Sequence, residues 1–163
     1  MKRIGIISDT HAHWDDRYAA HFAGCQEIWH AGDIGSEKVL DRLEGIAPVR
    51  AVFGNTDGWA IRRRCREVEV FTTEGVKVWM THIGGYPGRY APGVAARLEI
   101  ERPGVFVSGH SHILKVMPDK RLGLLHINPG AAGLQGWQTT RTLVLLTLDS
   151  GQVKACEVVK LGK

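Results

Sequence analysis

Residues 105–112 read VFVSGHSH, an apolar run that stops at Gly109 and then presents His110 and His112 with one residue between them. Alternate residues of an extended segment point the same way. The two imidazoles therefore converge just past the end of a buried strand, a place better suited to a metal than to an apolar core. One such stretch is weak evidence alone. Four other apolar runs end in the same manner: residues 3–8 run into Asp9 and His11, 27–31 into Gly32-Asp33, 49–53 into Gly54-Asn55, and 76–81 into His82.

Outward from these strand ends, the spacing predicts a helix over 15–24, a helix with Ser36 as N-cap running to about residue 44, and a third strand opened by Pro48. Strand, helix, strand, helix, strand implies right-handed crossovers and a sheet that is parallel at its start. Residues 67–72 and 76–81 flank a turn at Glu74-Gly75 and read as a hairpin. The loop 84–93, GGYPGRYAPG, reads as carrying no regular element, and Pro92 fits the first turn of a helix to about residue 101. Strand-like segments at 114–117, 122–127, 142–148 and 153–159, joined by short turns, predict a second, largely antiparallel sheet. No repeat, low-complexity tract or linker interrupts residues 1–163, so a single domain is expected.

The composition, 44% hydrophobic and 23% charged, is that of an ordinary folded chain, and no apolar run is long enough to span a bilayer. The opening MKRIGIISDTH reads as a first strand and not as a signal peptide. Cys25, Cys65 and Cys156 are odd in number and form no CxxC, which points to free thiols and a cytoplasmic location. Arginines 62, 63, 64 and 66 contribute much of the +4 formal charge. They read first as solvated surface and second as attraction for an anionic substrate. No nucleic-acid motif accompanies them, so nucleic acid is not the expected partner.

The donors Asp9, His11, Asp33, Asn55, His82, His110 and His112 come from five strand ends, and ligand sites of open sheets lie outside the carboxyl ends of strands. Seven oxygen and imidazole donors without a thiolate suit two divalent ions of the Mn, Fe, Zn, Co or Ni type. Asp33 is the best bridging candidate, because a carboxylate has two oxygens to share. Two ions roughly 3.5–4 Å apart can generate a hydroxide and clamp a phosphoryl group during in-line attack. Two aspartates and a hydroxide leave such a site with about one positive unit, matched to a phosphate ester, because neutral imidazoles subtract nothing.

The ordered set DxH at Asp9 and His11, GD at Gly32-Asp33, GN at Gly54-Asn55, His82, and GHxH at 109–112 resembles the calcineurin-like metallophosphoesterases. The short chain and NPG at 128–130 are similar to their small YfcE-like phosphodiesterase branch. The resemblance implies an α/β fold, a four-layer α/β/β/α sandwich of two mixed sheets flanked by helices. It implies one ion held by Asp9, His11, Asp33 and His112 and another by Asp33, Asn55, His82 and His110. Manganese is the first expectation for both ions, with Fe, Zn, Ni, Co or Mg as alternatives. Asp33, Asn55 and His82 are the expected catalytic set, with a metal-bridged hydroxide as nucleophile acting on a small phosphate ester. Homodimers or homotetramers are common in the branch.

Two departures matter. Where larger relatives have GNHE, this chain has Thr56 and Asp57. Threonine is no useful acid near neutrality, so catalysis is expected to lean on the ions and to favour good leaving groups. Asp57 reads either as a partner to a metal ligand or as a turn aspartate. Ile83-Gly84 replaces the Gly-His that follows the motif histidine in many relatives. His30 is expected to support the site without ligating, and His21 and His126 read as structural. Asn128-Pro129-Gly130 reads as site floor. His13, Tyr86, Arg89, Tyr90, Trp137, Gln138 and Arg141 raise the question of substrate contact, and Gly5 that of close strand–helix approach. The rival function is a protein-binding scaffold on the same fold, as in a eukaryotic retromer subunit similar to this branch. A metal-dependent nuclease is the third reading.

Overall fold

Alternation within the apolar strands explains how two sheets come to be stacked. The computed structural model describes all 163 residues. In β1 (Lys2–Ile7), Ile4 and Ile6 face one side and Gly5 and Ile7 the other, and both sides are covered. β1 pairs in parallel with β2 (Glu27–His30), and β2 in parallel with β3 (Val49–Ala51). The crossover helices α1 (Asp16–Phe22) and α2 (Glu37–Glu44) start at Asp15 and Ser36, whose side chains accept from the backbone N–H groups of Arg17 and Lys38. Both bury their apolar faces on one side of the sheet, where Tyr18, Phe22, Val39, Leu40 and Leu43 pack with Ile7 and Ile28. The Phe22 ring lies 2.4 Å from where a Cβ on residue 5 would stand, so glycine is what lets α1 close on β1.

After the short α3 (Trp59–Arg62), β4 (Val68–Thr73) and β5 (Val76–Thr81) form the expected antiparallel hairpin. Then follow β6 (Gly85–Tyr86), β7 (Arg89–Tyr90), α4 (Val94–Glu101), β8 (Val105–Val107), β9 (Lys115–Asp119), β10 (Leu124–Asn128), β11 (Arg141–Asp149) and β12 (Gln152–Gly162). One five-stranded sheet runs β12-β11-β1-β2-β3 and the other β4-β5-β8-β10-β9. Both are mixed: β1 pairs antiparallel with β11, while β5, β8 and β10 are mutually parallel between antiparallel edges.

The inner faces meet in the middle of the molecule. Ile4, Ile6, Trp29, Val144 and Leu146 pack there against Val78, Met80, Val105, Val107 and Ile127. On the outer face of the second sheet, Trp79, Phe106 and Leu124 lie under Val94 and Leu98 of α4. The result is four layers, α/β/β/α. No helix is long and apolar enough to cross a membrane, and the three cysteines are unpaired.

Three expectations are corrected. The late strands do not make one antiparallel sheet: β9 and β10 join the second sheet, but β11 and β12 extend the first. Strand character does not encode a partner, and β11 pairs with β1 across more than 130 residues of sequence. The loop 84–93 does contain regular structure, because Pro87-Gly88, with Gly88 at φ 90°, turns β6 back onto β7 in the Pro-Gly pattern of a type II turn. Pro92 lies before α4 and not in its first turn, since Gly93 at φ 82° is the N-cap. Pro118 is tolerated within β9 because that strand is an edge.

Candidate metal centre

The carboxyl ends of β1, β2, β3, β5 and β8 deliver all seven expected donors to one edge of the sandwich. Asp9, His11 and His112 offer ligand atoms lying within 4.8 Å of one another, and so do Asp33, His82 and His110. The groups adjoin: Asp33 Oδ2 lies 3.1 Å from His82 Nε2 and 3.7 Å from His11 Nε2. Asn55 completes the second group, its Oδ1 standing 3.0 Å from His110 Nδ1. Asp33 thus sits between the two groups, the position expected of a bridge.

The backbone adopts costly conformations to achieve this. Asp9, His11, Asp33, His110 and His112 are five of the nine non-glycine residues with positive φ in the chain. Such residues each cost of order 1–3 kcal/mol and persist only where surrounding structure imposes them. Two glycines permit the close approach. A Cβ on Gly54 would stand 2.1 Å from Asp33 Oδ1, and one on Gly109 would stand 2.7 Å from Asp9 Oδ2.

Hydrogen bonds fix the tautomers. His82 Nδ1 lies 2.7 Å from the carbonyl of Ala31, which can only accept, so Nδ1 carries the proton and Nε2 the lone pair. His112 Nδ1 lies 3.1 Å from Gln138 Oε1, and the amide orientation is set because Gln138 Nε2 donates to the carbonyls of Gly133 and Gln135. The freed Nε2 of His112 then faces Asp9 Oδ1 at 3.2 Å and His11 Nε2 at 3.3 Å. Lone pairs from carboxylates and imidazoles converge on two points. Asp9 Oδ1 and His82 Nε2 are buried without a hydrogen-bond donor. Acceptors so arranged call for a proton or a cation between them.

The charge distribution agrees. Burial works to raise the Asp9 carboxyl pKa, but the adjacent imidazoles of His112 and His82, whenever they carry a proton in place of a cation, hold it below the usual carboxylate range. Asp33 is lowered too, as contact with His82 and the Thr56 backbone N–H outweighs its burial. Burial opposes ionisation of His82, yet the carboxylates of Asp33 and Asp9 favour its protonated form and raise its pKa, and Asp9 does the same for His112. Desolvation and the nearby His82 lower His110. The site draws positive charge toward its carboxylates.

The remaining expected residues fall into place around it. His30 is buried, with Nε2 3.0 Å from Thr10 Oγ1 and Nδ1 accepting from Gly32 N, and burial lowers its pKa to about 4. It braces two ligand loops and does not ligate. Asn128 donates to Gly109 O and Ser111 Oγ, forming the floor beneath the histidine loop. Asp57 does not bond a metal ligand's side chain. Its carboxylate accepts from the backbone N–H groups of Ile34, Gly35 and Gly54, tying the Asp33 loop to the Asn55 loop. Gln138 orients a ligand, a role set by tertiary placement 26 residues from His112, with no local sequence signal. Arg141 is buried against Ala132 O and Asp15, and Tyr90 donates to Asp119 and packs on Phe106; neither faces the centre. Arg89 lines a separate surface cleft with Asp119 and Lys120, while His13 and the exposed His21 stand outside both donor groups. His126 is buried, as a structural histidine should be.

Two clefts open from the donors. One of about 250 Å³ is lined by Asn55, His82, Phe53, Arg62, Thr81 and Glu67 among others. The other, about 430 Å³, is lined by His110, His112, Ile113, Trp137 and Gln138 among others, with Trp137 fully exposed.

A model of the calcineurin-like phosphoesterase superfamily domain matches residues 1–151. A probable metallophosphoesterase of Methanothermobacter thermautotrophicus is 31% identical over 169 residues, covering 98% of this chain and 92% of that protein. A solved structure described as a novel archaeal phosphodiesterase aligns with a TM-score of 0.78 at 23% identity, over 98% of this chain and 99% of that one. Vps29 from Entamoeba histolytica in complex with zinc aligns with a TM-score of 0.73 at 20% identity, over 97% and 98% of the two chains. At these identities the two structural likenesses are likenesses of fold.

Proposed function

The chain belongs to the calcineurin-like phosphoesterase superfamily, in its small YfcE-like branch, and from that premise we propose that it is a dinuclear metal-dependent phosphodiesterase acting on a small phosphate ester. The donors fit the ions. Two groups of convergent lone pairs, with Asp9 Oδ1 and His82 Nε2 buried and unsatisfied, are what two cations would neutralise. Asp9, His11, Asp33 and His112 would hold one ion, and Asp33, Asn55, His82 and His110 the other. The all-oxygen-and-nitrogen set is compatible with Mn, Fe, Zn, Co, Ni or Mg. When bound, such ions supply Lewis acidity and activate water at neutral pH.

The chain's own groups do the positioning. Ala31 O and Gln138 Oε1 hold His82 and His112 in the ligating tautomer. Ser8 Oγ and the His110 N–H both donate to Asp9 Oδ2, which leaves Oδ1 directed at the histidines. The Thr56 N–H donates to Asp33 Oδ1. Thr56, which is exposed, takes the sequence place of the histidine in the GNHE of larger relatives and supplies no useful acid, so departure of the alcohol would depend on its own basicity.

The observation that carries a diester preference is the pair of clefts flanking the donors. A phosphodiester has two alcohol arms, and each cleft adjoins ligands of the centre. The test is hydrolysis of bis(p-nitrophenyl) phosphate and p-nitrophenyl phosphate by metal-stripped protein, with Mn²⁺, Ni²⁺, Zn²⁺ or Mg²⁺ restored, alongside His82→Ala. Metal-restored cleavage, faster on the diester and lost together with metal stoichiometry in the variant, is the expected result. Metal bound without turnover of either ester would replace this reading with that of a protein-binding scaffold.

A further inference from the structure

We propose that Arg62 is a specificity residue for a second anionic group on the substrate, so that the cleft beside Asn55 and His82 selects phosphodiesters carrying a further phosphate on one alcohol arm. This rests on the phosphodiesterase reading above and deepens it.

The run Arg62-Arg63-Arg64 looks in sequence like one solvated basic surface, but the structure separates the three. Arg64 is surrounded by Glu37, Asp41 and Glu44 at 3.2, 2.9 and 3.2 Å, which neutralise it and tie the end of α3 to α2. Arg63 lies over the ring of Trp59, 4.8 Å from its centroid. Arg62 turns toward the centre. Its Nε donates to Asp57 O at 2.6 Å and its Nη2 to Gly54 O at 3.4 Å, the two carbonyls that bracket Asn55 and Thr56. Its guanidinium lies 4.5 Å from the centroid of the Phe53 ring. Unlike Arg64, it makes no ion pair.

These contacts fix the guanidinium plane and use two of its five N–H donors. The rest remain on a group that lines the same cleft as Asn55 and His82. A guanidinium held in this way has lost its rotamer freedom before any ligand arrives, so less entropy is lost when it forks onto phosphate oxygens. Charge matching points the same way. With ions bound, the centre carries about one positive unit and is balanced by the single charge of a simple diester. A second phosphate needs a cation of its own, and Arg62 is the guanidinium lining this cleft. Glu67 is the carboxylate on the wall, and it opposes a second anion.

The test compares kcat/KM for two substrates under one metal condition: the 5′-p-nitrophenyl ester of thymidine 3′,5′-bisphosphate and the same ester without the 3′-phosphate. A charge-assisted fork predicts a ratio of about tenfold in favour of the 3′-phosphorylated ester. Reading the ratio within each variant cancels any general loss of activity. Arg62→Gln is expected to bring the ratio to near one, Arg62→Lys to retain part of it, and Glu67→Gln to raise it. A ratio near one in the unaltered protein, with both esters cleaved, overturns this inference and leaves the phosphodiesterase reading intact. A high ratio that survives Arg62→Gln overturns it as well. If neither ester is cleaved, the phosphodiesterase reading fails. Calorimetric binding of thymidine 3′,5′-bisphosphate against the 5′-monophosphate then decides on the subsite, and equal affinities overturn it.

Discussion

At the scale of single residues, the centre depends on neighbours that orient its donors. His112 is useful as a donor only with its lone pair on Nε2, and Gln138 secures that by accepting from Nδ1 at 3.1 Å. Removing the group that orients a ligating histidine typically costs 10–100-fold in metal affinity. Gln138→Leu is therefore expected to weaken binding of one ion by about that factor, with Gln138→Glu, which keeps an acceptor, recovering most of it. Competitive metal titration against a chelating dye measures this. Equal affinity in the unaltered protein and the leucine variant would show that His112 is held by packing instead.

At the scale of elements, the centre is a set of loops that must stay in register. Asp57 is the fastener between the loop after β2 and the loop after β3, through three backbone N–H groups. Asp57→Ala would leave those donors without a partner, those of Ile34 and Gly54 in a buried place and that of Gly35 at the exposed rim. Unsatisfied buried donors cost roughly 1–3 kcal/mol each, so a loss of about 3 kcal/mol of stability is expected once water reaches some of them. Urea unfolding reads it, and a loss under about 1 kcal/mol would mean that the loops hold themselves. This fastening was only half legible in the sequence. The strand ends and the donors they carry are local patterns, an apolar run followed by Gly-Asp, Gly-Asn or Gly-His, and the structure gathers all seven. Asp57 also stood out, but which groups it bonds depends on how two loops meet, and no local pattern encodes that. The same physics hid the placement of β11 and β12, whose partner β1 lies at the far end of the chain. The β6–β7 hairpin was a different case. Pro87-Gly88 is a turn signal, but two-residue strands carry too little pattern to distinguish them from loop.

At the scale of the whole molecule, the two sheets are joined by more than apolar packing. Glu27 of β2 lies buried at their junction. Its carboxylate accepts from Lys2 Nζ at 2.8 Å, Arg50 Nε at 2.8 Å, Trp29 Nε1 at 3.1 Å and Thr73 Oγ1 at 3.2 Å, and Thr73 belongs to the opposite sheet. Burial works to raise the Glu27 pKa, but the bonds from Lys2, Arg50 and Trp29 win and bring it from 4.5 to about 2. A folded-state pKa below the unfolded value means that the unfolded chain binds protons more readily. The cluster therefore stabilises the fold fully above pH 4.5, and that contribution fades as pH falls through about 2. Its size at neutral pH is about 2 kcal/mol, allowing for solvent screening of the partly exposed Lys2 and Arg50. Glu27→Gln should show that deficit in urea unfolding at pH 7, a smaller one at pH 3, and almost none near pH 2. A deficit that stays constant across this range would assign the stability of the junction to side-chain shape, with the charge of Glu27 contributing nothing.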